Sequence, residues 1–159
     1  MHISLNKSEL ESVDELISYM EISNDSIVIL ALLPKDPQNV VLSMPTYLHP
    51  IPKKIRDQAL NNSKIGSISI FDYVVSDEEL SSYLQFGEAS CCVHVFNFEK
   101  IVQRLLRHEL KELNDNYDKI LESDRPYNIT LWFRDASLFE EIKNYAPKIW
   151  DQHYAMIEF

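Results

Sequence analysis

Seven consecutive apolar residues, Ile27-Val28-Ile29-Leu30-Ala31-Leu32-Leu33, constrain the fold of this chain more than any other feature. The run is far shorter than the roughly 20 residues a helix needs to cross a bilayer. It does not alternate between apolar and polar positions, so it reads as a strand buried on both faces. A strand of that kind predicts a sheet with helices packed on it.

The flanking segments supply both kinds of element. Leu10, Val13, Leu16, Ile17 and Met20 repeat at helical spacing behind a Ser8/Glu11 capping box, which predicts a helix over Glu9–Met20. Pro34 to Asn39 predicts a turn, and Val40–Met44 a strand returning beside Ile27–Leu33. Pro45 to Pro52 reads as a connector, and Lys53–Asn61 as a short helix. Further strands are expected at Ser67–Val75, Ser90–Phe96, Asn128–Phe133 and His153–Phe159. Between them, Ser76 carries strong helix-start signals: a Ser76/Glu79 capping box, a Val75/Leu80 hydrophobic staple and the acidic run Asp77-Glu78-Glu79. A long helix is expected from Phe98 toward Glu122, breaking near Asn114-Asp115-Asn116, where Asn and Asp compete for helical hydrogen bonds. A last helix over Ala136–Tyr145 is capped by Asp135 and disturbed at its end by Pro147. The expectation is one α/β or α+β domain over residues 1–159. Its sheet is mixed, with about five or six strands and an early antiparallel hairpin, and helices pack on it.

Composition narrows the function classes. Glycine occurs only at Gly66 and Gly87, so the clustered glycines of phosphate-cradling and dinucleotide-binding loops are missing. Fifteen Lys and Arg stand against 25 Asp and Glu, a net charge of −10, which repels nucleic acid and anionic lipid and favours a basic protein partner. The two cysteines, Cys91 and Cys92, are adjacent and badly placed to bridge, so a reducing, cytoplasmic compartment is expected. The first residues show no basic region followed by an apolar stretch, and no signal peptide is expected. His2, His49, His94, His108 and His153 lack zinc-ligand spacing, and no metal or other cofactor is expected.

Several residues invite a functional reading. On the long helix, Lys100, Arg104, Arg107, His108 and Lys111 form a basic ridge opposite the apolar stripe; it is either a contact surface for an acidic patch or a solvated face paired with nearby carboxylates. Glu109 falls within the apolar stripe, where a carboxylate must be paired, protonated or near an edge. His108-Glu109-Leu110-Lys111-Glu112 lacks the second histidine of a zinc-protease helix. Cys92 and His94 share one strand face, either as a nucleophile pair or as core residues. Two acidic surfaces remain: Asp77, Glu78 and Glu79 with Glu88, and Glu112, Asp115, Asp118 and Glu122. Tyr83 and Tyr117 lie among them, and aromatic anchors rimmed by carboxylates suit a basic protein partner.

These features point first to a non-enzymatic acidic protein that masks a basic partner, most concretely a bacterial immunity protein inhibiting a nuclease-type toxin domain. Two alternatives stand beside it. One is a small enzyme independent of nucleotides, using Glu109, His94 and Cys92. The other is a regulatory or assembly subunit that binds through the basic ridge.

Overall fold

The computed structural model describes residues 2–4, 9–21, 26–34, 49–76, 78–86, 92–101, 103–121 and 127–159. In chain order its elements are β1 (His2–Ser4), α1 (Glu9–Met20), β2 (Ile27–Leu32), α2 (Pro50–Leu60), β3 (Ile68–Asp72), α3 (Leu80–Phe86), β4 (Cys92–Phe96), α4 (Gln103–Asp115), α5 (Tyr117–Leu121), β5 (Asn128–Phe133), α6 (Leu138–Tyr145), α7 (Pro147–Gln152) and β6 (Ala155–Glu158). A single 3-10 turn, Phe98–Lys100, precedes α4.

The apolar run forms the middle of the sheet. Ile29, Leu30 and Ala31 of β2 are wholly buried. β5 lies on one side of β2 and β6 on the other, and both are parallel to it. β4 and β3 extend the sheet beyond β5, giving five strands in the order β3-β4-β5-β2-β6. The short β1 adds to the free side of β6, and it too is parallel. Every pairing among the described residues is parallel.

The expected mixed sheet with an early antiparallel hairpin is therefore incorrect. Residues 27–32 of β2 pair with residues 128–133, and residues 29–32 pair with residues 155–158. Both edges of β2 are occupied, so no edge remains for Val40–Met44, which lies outside the described residues. A proline-bearing turn after a buried strand reads the same whether the chain reverses or crosses over. The strands that arrive later in the chain decide between the two.

Side chains alternate across the pleat, and two apolar layers result. Val28, Leu30, Val93, Val95, Ile129 and Leu131 pack with residues of α3 to α7. Ile29, Ala31, Cys92, Phe96, Trp132 and Ile157 pack with α1 and α2. This division follows from topology. The connections β1 to β2 and β2 to β3 run one way across the sheet, and those from β3 through β4 and β5 to β6 run the other. Crossovers of one hand then place α1 and α2 on one face and α3 to α7 on the opposite face.

Local chemistry explains the boundaries. α1 and β5 occupy the expected ranges. α2 starts at Pro50, inside the expected connector, because a proline in the first helical turn has no missing intrahelical partner. His49 Nδ1 accepts the Ile51 N–H at that end, 3.2 Å away. The long helix is divided. Asn97 adopts φ 70°, a left-handed conformation that Asn tolerates, and the 3-10 turn follows it. The expected break falls at Asn116, whose side chain bonds the Glu112 carbonyl at 2.8 Å. Pro147 does more than disturb the end of α6: it opens α7. No helix among the described residues is long and apolar enough to cross a membrane.

Candidate functional site

Glu109 of α4 is 7% exposed, and its role follows from what reaches it. Its Oε1 accepts the backbone N–H of Leu80 at 2.6 Å and the Tyr73 hydroxyl at 3.0 Å. Leu80 is the first residue of α3, so a carboxylate from α4 caps that helix across the interface. Burial raises the Glu109 carboxyl above its ordinary pKa, and the bonds from Leu80 and Tyr73 act in the opposite direction. Burial, then the Glu109 charge, pushes the Tyr73 phenol well up.

The Ser76/Glu79 capping box does not form. Asp72 at the end of β3 accepts the Val74 N–H on its side chain, at 2.9 Å, and the Val75 and Ser76 N–H groups on its carbonyl. That turn uses the donors a helix start at Ser76 would orient differently. Val75 is 71% exposed, so it makes no staple with Leu80.

Cys92, His94 and Glu109 do not meet. Glu109 belongs to the α3–α7 layer, whereas Cys92 belongs to the α1–α2 layer. His94 is on the Cys92 side, stacked with Phe96 and Trp132 at centroid distances of 6.4 and 6.1 Å. The Cys92 thiol donates to the Met20 carbonyl at 3.3 Å. The Trp132 indole N–H donates to His94 Nδ1 at 2.9 Å, so the neutral imidazole carries its proton on Nε2. Burial, with Arg56 nearby, lowers the His94 pKa to about 4. His94 Nε2 and Thr130 Oγ1, on residues facing each other in the β4–β5 ladder, are buried without hydrogen bonds.

The acidic residues are brought closer than their numbering implies. Glu79 Oε1 lies 3.2 Å from His108 Nε2, which seats the start of α3 against the middle of α4. His108, Glu112 and Asp115 follow one another at helical intervals of four and three, so they share one side of α4. Glu78 and Asp115 are exposed, and Glu79 and Glu112 are half-buried. The exposed Asp118 at the start of α5 bonds Lys148 Nζ of α7 at 3.0 Å. The Glu79–His108 contact thus brings one member of the first acidic group to the helix that carries Glu112 and Asp115 of the second. Tyr83 is half-buried against Phe71, with ring centroids 5.2 Å apart. Tyr117 is 3% exposed and belongs to the core, so its ring is no surface anchor. Asp77, Glu88 and Glu122 lie outside the described residues.

The basic ridge is largely engaged within the chain. Arg107 Nε lies 3.2 Å from Glu141 Oε2, and its guanidinium covers the Tyr145 ring at 5.1 Å. Lys111 approaches the same ring at 5.8 Å, and His108 bonds Glu79. Arg104 is exposed, and the side chain of Lys100 lies outside the described ones. Among the described residues, no three His, Cys, Asp or Glu side chains are grouped to hold a metal ion. No protein-family model, no curated protein and no solved structure matches the chain.

Proposed function

We propose that this chain is a non-enzymatic binding protein that masks a basic protein partner through the strip Glu78, Glu79, Glu112, Asp115 and Asp118. Its concrete form is an immunity-type inhibitor of a nuclease-type toxin. The Glu79–His108 contact carries this reading, because it brings the Glu79 carboxylate, just before α3, to the side of α4 that also bears Glu112 and Asp115. A net charge of −10 adds long-range attraction for a basic partner and speeds encounter. Tyr83, half-buried and one helical turn after Glu79, adds aromatic contact area. The assembly reading has less support, since Arg107, His108 and Lys111 already have partners within the chain. The enzyme reading lacks convergence, since Glu109 and the Cys92/His94 pair occupy opposite faces of the sheet.

The test begins by identifying the partner through affinity purification and mass spectrometry. Calorimetry then compares the native chain with a Glu78→Lys, Glu112→Lys, Asp115→Lys variant. Binding weakens by at least about tenfold, which corresponds to about 1.4 kcal/mol, while the thermal midpoint of the free variant stays near the native value. Equal affinity for both chains overturns the reading.

A further inference from the structure

A cleft of about 430 Å³ opens where β3 ends, and its lining comes from both sides of the sheet. Ile70, Phe71, Val75 and Tyr83 supply apolar surface, and Arg56, Asp72, Ser76 and Glu78 supply polar groups. Arg56 arrives on α2 from one face, whereas Tyr83 arrives on α3 from the opposite face. Ile70 is 37% exposed and Val75 71%, so apolar surface is left for a ligand to cover. The volume is at the small end of the range for small-molecule sites, which are mostly apolar with a few convergent polar groups.

The charges decide what chemistry fits. Arg56, Asp72 and Glu78 share this cleft, yet among the described residues none of them makes an ion pair. Asp72 accepts hydrogen bonds from the Val74 N–H and from Asn97 Nδ2, both on Oδ1, which leaves Oδ2 for the cleft. A purely cationic ligand would meet Arg56, and a purely anionic one would meet Asp72 and Glu78. A ligand bearing both signs satisfies all three residues, and the small volume requires those charges to be close together.

We propose that this cleft binds a small zwitterion with an apolar body, namely a free α-amino acid with a large aliphatic or aromatic side chain. Its carboxylate pairs with Arg56, its ammonium with Asp72 and Glu78, and its side chain covers Ile70, Val75 and the Tyr83 ring. This inference goes beyond the partner-masking reading and does not depend on it.

The experiment titrates the full chain with L-leucine and with L-phenylalanine and follows amide proton–nitrogen correlation spectra. Saturable shifts are expected at Ile70 to Ser76 and at Tyr83, with a Kd of about 1 mM or tighter. Removing one charge-assisted pair should weaken binding by about tenfold or more. N-acetyl-L-leucine removes the ammonium charge, L-leucinamide removes the carboxylate, and Arg56→Gln and Glu78→Gln remove the matching charges on the protein. Val75→Asp, at an exposed position, replaces apolar cover with a carboxylate and should weaken both amino acids. Three results would overturn the inference. The first is no saturable shift with either amino acid. The second is equal binding of one blocked analogue, which would mark a site for a single charge. The third is undiminished binding by Arg56→Gln or Val75→Asp.

Discussion

His94 and Thr130 show how individual residues in the core set stability. Both face the α1–α2 layer, both are essentially inaccessible, and each keeps one polar atom without a hydrogen bond. A buried unsatisfied hydroxyl costs about 1–3 kcal/mol, whereas an apolar group of similar shape avoids that cost. Thr130→Val should therefore stabilise the fold by about 1 kcal/mol in urea unfolding at neutral pH. A loss of stability would mean that the hydroxyl has a partner. For His94, the folded pKa of about 4 lies below the ordinary 6.5. As pH falls through that interval, the unfolded chain takes up the proton and the folded chain does not. Stability present above pH 6.5 is lost progressively toward pH 4, by an amount on the order of 3 kcal/mol. Arg56 acts in the same direction as burial, and Trp132 holds the neutral ring through Nδ1. Denaturant midpoints measured from pH 7 to pH 4 should fall less steeply in His94→Gln than in the native chain. Parallel slopes would refute the assignment.

At the scale of elements, α3 is governed by a group from another helix. Its local signals favour a start at Ser76, yet the helix begins at Leu80, where the Glu109 carboxylate receives the N–H. Glu109→Ala leaves that donor and the Tyr73 hydroxyl unpaired and should cost on the order of 2 kcal/mol. Glu109→Gln keeps an acceptor oxygen and should cost less. Ser76→Ala should stay within about 0.5 kcal/mol of native, as expected of a residue that caps no helix. If Ser76→Ala destabilises as much as Glu109→Ala, the local capping box is the operative one. Chemical denaturation of the three variants distinguishes these outcomes.

Across the whole molecule, the direction of travel over the sheet reverses once, at β3, and this divides the helices between two faces. The same arrangement puts α3 and α4 side by side and brings Glu79 to His108, the contact on which the proposed acidic strip rests. A surface used for electrostatic capture has a kinetic signature. Screening is nearly complete beyond a Debye length, about 10 Å at 0.1 M salt and about 3 Å at 1 M. Association with the proposed basic partner, followed by stopped flow, should slow steeply over that range while dissociation changes little. A salt-independent association rate would exclude steering by the strip.

Periodicity is local, so several strands and helices were legible along the chain, whereas β1, α7 and the start of α3 were not. Glu9–Met20 and Asn128–Phe133 have the expected limits, and the break at Asn116 is where side-chain competition predicts it. The sequence also marked Glu109 as a carboxylate in need of a partner, and it singled out the carboxylates of both acidic surfaces. Strand neighbours are a different matter. Whether β2 pairs with the next segment or with β5 and β6 depends on contacts about a hundred residues apart, which no local pattern encodes. The same holds for the sites. Only tertiary structure brought Glu79 to His108, separated Cys92 from Glu109, and set Arg56 across a cleft from Glu78, because each relation joins elements packed from different parts of the chain.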